Sequence, residues 1–324
     1  MGLKREMTGE ASRCGFAAII GAPNAGKSTL VNSLVGSKVS IVTHKVQTTR
    51  AVVRGIALHG SAQIVFVDTP GIFSPRRRLD RAMVEAAWSG VADADATVVV
   101  VDVATYLSEL SKERRAEPSG GKKGAFDTNG ILQRLGETVD HYILVLNKID
   151  LIPRTELLRI IDTLREQHDP ARVMLTSAMT GDGVSDLKST IAELMPSGPW
   201  LYPEDQLADI PQRLLASEIT RESLMLRLHE ELPYDSTVET ESWTLLKDKS
   251  VRVEQVIYVR RKSQRAIVLG KKGEVIKAIG SAARRELEKI LGMRVHLFLV
   301  VKVREKWLDE PARYRELGLE FPKS

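Results

Sequence analysis

The sequence predicts an α/β protein in two parts: a domain built on a mostly parallel sheet, followed by a smaller α+β domain. Three observations carry this. The loop Gly21-Ala22-Pro23-Asn24-Ala25-Gly26-Lys27-Ser28 lies between the apolar run 16–20 and a helical pattern beginning at Thr29. Across the first half, short continuously apolar segments alternate with amphipathic ones, as strands buried on both faces require. Charge is also segregated: between Lys249 and Lys306 sixteen Lys and Arg stand against five Asp and Glu, a net +11 in a chain that is +5 overall.

At 324 residues, 43% hydrophobic and 27% charged, the chain has material for two ordinary globular cores. Cys14 is the only cysteine, which excludes a disulfide framework and a thiolate metal site and leads us to expect a reducing, intracellular setting. No apolar run approaches the roughly 20 residues of a membrane span. The N-terminus mixes Lys4 and Arg5 with Glu6 and Glu10 and lacks the apolar core of a secretory signal. Concentrated basic charge in one segment points to a nucleic-acid module.

In chain order, after a tail at 1–14, strands are predicted at 16–21, 51–58, 62–68, 97–102, 142–147 and 172–176. Helices are predicted at 26–35, 79–92, 128–135, 154–167 and 184–195, with Trp88 as core packing. The second and third strands, joined at His59-Gly60-Ser61, read as a hairpin that adds one antiparallel edge. Residues 108–126, rich in glycine and like charges, read as a flexible surface insertion. The first domain covers 15–197 and a linker of proline and acids covers 198–211. The second domain, 212–306, runs helix 214–230, strand 237–245, strand 251–259, helix 264–269, Gly270-Lys271-Lys272-Gly273, helix 274–291 and strand 294–303. Residues 307–324 read as a C-terminal tail.

The chemistry begins at the first loop. Gly21 and Gly26 let the backbone wrap a polyphosphate, and the N–H groups of Ala25, Lys27, Ser28 and Thr29 at the helix N-terminus face negative charge. Lys27 reaches the terminal phosphates and the Ser28 hydroxyl can ligate Mg²⁺. Asp68-Thr69-Pro70-Gly71 closes the third strand, where Asp68 can hold Mg²⁺ through water and the Gly71 N–H can meet a γ-phosphate. Asn147-Lys148-Ile149-Asp150 emerges at the carboxyl edge of the sheet. Asp150 can accept guanine N1–H and N2–H, a pairing adenine does not offer, so the nucleotide is GTP rather than ATP. Lys148 lays its stem along the base, Asn147 ties its loop to the phosphate loop, and Ser177-Ala178 offers the Ala178 N–H to guanine O6. In the second domain Gly270 and Gly273 allow close approach of a nucleic-acid backbone. Lys271 and Lys272 supply charge, with Lys277, Arg284 and Arg285 on the helix behind.

Together the four nucleotide motifs resemble the GTPases of the P-loop class over residues 15–195. The Gly270–Gly273 loop between apolar helical flanks resembles a KH domain of the bacterial strand order, type II, whose loop clamps about four single-stranded nucleotides. The pairing of the two resembles the Era family, through Gln47-Thr48-Thr49-Arg50, Asp68-Thr69-Pro70-Gly71-Ile72 and Gly270-Lys271-Lys272-Gly273-Glu274-Val275-Ile276-Lys277-Ala278-Ile279-Gly280. The resemblance implies a first switch at 43–50, in which Thr48 or Thr49 completes the Mg²⁺ shell, and a second at 72–81, whose Arg76-Arg77-Arg78 run meets RNA or faces water. Ile72 stands where many GTPases have a water-orienting glutamine, which implies slow intrinsic hydrolysis. Asn24 resembles the asparagine that holds K⁺ against the phosphates in related GTPases. The family implies a monomer that binds the 3′ end of 16S rRNA, assists 30S subunit maturation, and works in the cytoplasm with some peripheral contact to the inner membrane. A rival reading keeps RNA binding and makes the nucleotide structural.

Overall fold

The computed structural model describes residues 11–113 and 128–322. Its first domain runs β1 (Arg13–Ile20), α1 (Lys27–Val35), β2 (Val53–His59), β3 (Ala62–Asp68), α2 (Arg78–Ala92), β4 (Ala96–Asp102), α3 (Val103–Glu113), α4 (Thr128–Gly136), β5 (Ile143–Asn147), α5 (Arg154–Gln167), β6 (Arg172–Thr176) and α6 (Val184–Leu194). Then come β7 (Ala208–Asp209), α7 (Gln212–Arg227), β8 (Ser236–Leu245), β9 (Val251–Val259), α8 (Lys262–Leu269), α9 (Glu274–Leu291), β10 (Val295–Val303) and α10 (Pro311–Glu316).

Seven strands form the first sheet in the order β6-β5-β4-β1-β3-β2-β7. β1 is parallel to β3 and β4, whereas β2 is antiparallel to β3, as the hairpin reading requires. Alternation along β1 explains its unbroken apolarity. Ala17 and Ile19 pack with α1 and α6 on one face, and Ala18 and Ile20 pack with α2, α4 and α5 on the other. Trp88 lies in the second of these cores, with the Arg134 guanidinium 4.3 Å over its ring.

Two features differ from expectation and one adds to it. The linker is strapped to the first domain: β7 pairs with β2 and caps the sheet edge, and Gln63 accepts from the N–H groups of Leu201 and Tyr202. This satisfies an edge that would otherwise expose unpaired backbone groups. The start of the expected insertion is helical, because α3 runs on to Glu113 with Val103 and Tyr106 buried; residues 114–127, including the rest of that insertion, lie outside the described residues. The C-terminal stretch folds as well. A 3₁₀ turn at Trp307–Asp309 and α10 bury Trp307, Tyr314 and Leu319 against Leu79 and Met83 of α2 and Val256 and Tyr258 of β9. It thereby joins the two domains.

The second domain follows the predicted order. Its sheet, β10-β9-β8, has β9 parallel to β10 and antiparallel to β8. Helices α7, α8 and α9 cover one face, burying Leu224, Val268, Ile279 and Leu287 against Val253, Ile257 and Val301.

Candidate nucleotide and nucleic-acid sites

The carboxyl ends of β1, β3 and β5 place the predicted loops around one cleft of about 480 Å³, lined by Asn24, Gly26, Lys27, Ser28, Thr29, Thr48, Thr49, Gly71 and Lys148 among others. Gly21 needs its freedom: at φ 145° an added Cβ would stand 2.3 Å from the carbonyl oxygen of Val100. Lys27 is buried, and its Nζ donates to the carbonyls of Gly21 (3.2 Å) and Ala22 (2.9 Å). Burial brings its pKa down to about 8, against the pull of Asp68 in the other direction.

Asp68 is fully buried, and neither carboxylate oxygen has a hydrogen-bond partner among the described residues. Burial raises its pKa, against the nearby Ser28 and Ser40 hydroxyls and the Lys27 ammonium, none of which makes a well-formed hydrogen bond to it. A buried carboxylate without partners is costly unless a cation answers it. Nearby, the Ser28 and Thr49 hydroxyls lie 2.8 Å apart. Two hydroxyls and an orphaned carboxylate suit a hard, oxygen-seeking ion such as Mg²⁺. Thr48 lies differently. Its hydroxyl bonds the Thr43 hydroxyl (2.6 Å) and the Lys45 carbonyl (2.8 Å), so the geometry brings Thr49, not Thr48, to Ser28.

Gly71 packs on the phosphate loop so closely that a Cβ would stand 2.9 Å from Pro23, and the Ile72 N–H donates to the Gly21 carbonyl (3.0 Å). The Ile72 side chain is fully buried in the core and cannot address a water in the cleft. Asn24 adopts φ 62° and donates through Nδ2 to the His44 carbonyl of the first switch (3.2 Å).

On the base side, Asn147 donates to the Ala25 carbonyl (2.9 Å), tying the two loops as predicted. Lys148 spans the cleft to the Asn24 carbonyl (2.8 Å) and Asp102 (2.7 Å). Asp150 is exposed in a 3₁₀ turn, Ile149–Leu151, and makes no hydrogen bond or ion pair among the described residues. One expectation needs correction. The Ala178 N–H does not stand free, because it donates to Asn147 Oδ1 (3.0 Å) and helps hold the base loop; Ser177, also buried, receives the Thr180 N–H (3.2 Å).

Sequence reasoning missed how the switches touch the second domain. Arg50, buried, donates to the carbonyls of Ser236 (2.8 Å), Pro233 (3.2 Å) and Tyr234 (3.2 Å) and lies 5.8 Å from the Trp307 ring centre. Burial first, then the neighbouring Arg221 cation, push its pKa down to about 9, which still leaves it charged at neutral pH. Arg221 of α7, paired with Glu218, donates to the Thr48 carbonyl. Glu222 accepts from Lys38 (2.6 Å) and from the Val42 N–H (2.8 Å), and Lys45 donates to the Leu228 carbonyl. The second switch contributes too: Arg77 pairs with Asp235 (3.0 Å), and Arg78 lies over the Phe321 ring at 5.0 Å. Those two arginines thus pair with protein groups, although Arg77 stays exposed like Arg76, and Arg78 is half-buried. The available signal was the Glu218, Arg221, Glu222 spacing, which puts ionic groups on a helix whose residues 216–225 are all buried.

In the second domain Gly270 (φ 71°) and Gly273 (φ 79°) make the turn between α8 and α9, with Lys271 and Lys272 exposed between them. A Cβ on Gly270 would stand 2.4 Å from Val275, so glycine is required there. A groove of about 400 Å³ follows, lined by Lys277, Gly280 and Arg284 of α9 and Phe298 and Leu299 of β10. Arg285 is exposed but lies outside the groove lining. Among the described residues no helix is long and apolar enough to cross a membrane.

Fold and site together define a P-loop GTPase joined to a KH domain. A sequence model of the 50S ribosome-binding GTPase family matches residues 16–176, and a KH-domain model matches residues 231–308. The chain is 55% identical to GTPase Era of Bradyrhizobium diazoefficiens over 98% of this chain and 99% of that one. It is 58% identical to GTPase Era of Rhizobium meliloti over 96% and 94% of the two chains. Era solved with MgGDPNP and nucleotides 1506–1542 of 16S ribosomal RNA superposes with a TM-score of 0.84 at 36% identity, covering 95% of this chain and 99% of that one. A single-substitution variant of Aquifex aeolicus Era bound to GDP·AlF₄⁻ gives 0.83 at 36% identity, covering 94% and 99%. This chain belongs to the Era family of GTPases and hydrolyses GTP.

Proposed function

We propose that this GTPase binds the 3′ end of 16S rRNA through its KH groove, assists maturation of the 30S subunit in the cytoplasm, and uses nucleotide state to set its grip on RNA. One observation supports this reading above others. The first switch, which closes the nucleotide cleft, is held to the KH domain by Arg50, Arg221, Glu222 and Lys45, so that a change at the phosphates reaches the RNA-binding half through direct contacts. The second switch acts in parallel through Arg77 and Arg78. A bistable switch bonded to two partners is the physical form such coupling takes.

Within the cleft, backbone N–H groups from Gly21 to Ser28 and the α1 N-terminus cradle the phosphates, while Lys27 turns from two carbonyls to the terminal phosphates. Ser28, Thr49 and, through water, Asp68 would hold Mg²⁺, which supplies charge neutralisation on the phosphate oxygens. Asp150 selects guanine. Ile72 offers no donor or acceptor to the attacking water, so intrinsic hydrolysis is slow. The Asn24 side-chain oxygen would hold K⁺ against the phosphates, which would supply the charge an arginine finger gives elsewhere.

Crosslinking the GTP-loaded protein in cells and sequencing the bound RNA tests the assignment. Enrichment of the 16S rRNA 3′ end is the expected result; a random RNA profile refutes it. Lys27→Ala addresses the rival in which nucleotide is structural. Phosphate release falls by at least about a thousandfold while RNA binding persists, whereas the rival requires that folding be lost as well.

A further inference from the structure

We propose that the open half of the KH sheet's outer face is a second single-stranded RNA surface, on which bases leaving the KH groove stack. This rests on the KH groove reading above. The sheet has two faces: Leu297, Leu299 and Val301 of β10 pack under the helices, and the alternate residues His296, Phe298 and Val300 point the other way. The C-terminal stretch covers that outer face at Val256 and Tyr258 of β9 and at Glu239 of β8, which pairs with Arg313. Beyond it Phe298 is 49% exposed and Val300 52% exposed. Phe298 and Val300, two positions apart on one strand face, form a small exposed apolar patch rather than a lone side chain.

Three features point to RNA as its occupant. Arg252 of β9 places its guanidinium 4.7 Å from the Phe298 ring centre, which puts a cation and an aromatic ring, the two groups on which bases stack, side by side on this face. Charge agrees, since Arg252, Arg294 and His296 lie at this end of a segment that carries a net +11. Glu254 offsets part of it through its ion pair with Arg252 (2.6 Å). Continuity is the third. β10 is an edge strand, and Phe298 belongs both to this face and to the lining of the groove that holds Lys277 and Arg284. A strand leaving that groove therefore meets the outer face by turning over one unpaired strand edge. KH grooves take about four nucleotides and sheet platforms two or three bases, so the combined footprint is about seven.

The test compares four-nucleotide and nine-nucleotide single strands cut from the 16S rRNA 3′ end, bound to full-length protein with a non-hydrolysable GTP analogue. Arg252→Ala, which leaves the groove lining intact, weakens the nine-nucleotide strand about tenfold and leaves the four-nucleotide strand unchanged, while Phe298→Ala weakens the nine-nucleotide strand more than the four-nucleotide one and Phe298→Tyr restores it. Unchanged affinity for the nine-nucleotide strand overturns the proposal, as does an equal loss on both strands, which assigns Phe298 to the groove alone. A loss confined to 30S subunits, with RNA affinity intact, makes a ribosomal protein the occupant and also overturns it. Lys271→Ala with Lys272→Ala tests the groove separately. If that double variant binds both strands normally, the groove reading fails whatever Phe298 does.

Discussion

Arg50→Lys isolates the link between switch and KH domain, because it keeps the charge and removes the fork. The native guanidinium reaches three carbonyls, at 2.8, 3.2 and 3.2 Å, around residues 233–236. An ammonium on a flexible stem satisfies one of them well and leaves about two buried acceptors without donors. At roughly 1 to 1.5 kcal/mol for each carbonyl so left, the docked arrangement loses about 2 to 3 kcal/mol. At 1.4 kcal/mol per factor of ten, amide hydrogen exchange in the first switch and in the 233–236 turn accelerates by about 30- to 140-fold, provided it proceeds through local opening. Central strands β1 and β4, remote from the contact, keep native protection. Unchanged exchange at the switch, or equal acceleration in β1, would show that Arg50 is not the link the contacts make it.

The nucleotide site yields further expectations. Asp150→Asn, at an exposed carboxylate, lowers GTP affinity by at least about a hundredfold and shifts preference to xanthosine triphosphate, whose O2 accepts from the new amide; titration with the two nucleotides checks it. Thr49→Ala raises the Mg²⁺ concentration for half-maximal hydrolysis by about tenfold or more, and Thr48→Ala leaves it within about twofold, since only Thr49 meets Ser28. Hydrolysis runs faster in K⁺ than in Na⁺, and Asn24→Ala removes the difference; equal native rates in the two salts refute the Asn24 reading.

Much of the site was legible because each nucleotide motif is local: a few consecutive residues at the end of one strand, whose chemistry follows from position on the sheet. The KH loop was legible for the same reason, since Gly270 and Gly273 punctuate two helices. What stayed hidden depends on tertiary neighbours. Arg50 looked like the last residue of a switch motif, and nothing in its neighbourhood in sequence announces the carbonyls of Pro233, Tyr234 and Ser236. Trp307 and Tyr314 sit in a stretch of mixed composition that reads as a tail, yet they become core once α2 and β9 bracket them. The Ala178 N–H shows the same limit at atomic scale, because its capture by Asn147 depends on how two separate loops meet.

The central claim is that nucleotide state at the phosphate loop controls the KH domain's hold on RNA through the switch contacts. Affinity of the full-length protein for the 16S rRNA 3′ end, measured with a non-hydrolysable GTP analogue and with GDP, tests it most directly. The account predicts binding at least about five times tighter with the analogue, the lower end of ordinary coupling energies, and a difference that shrinks in Arg50→Lys. Identical affinities in the two nucleotide states would contradict it.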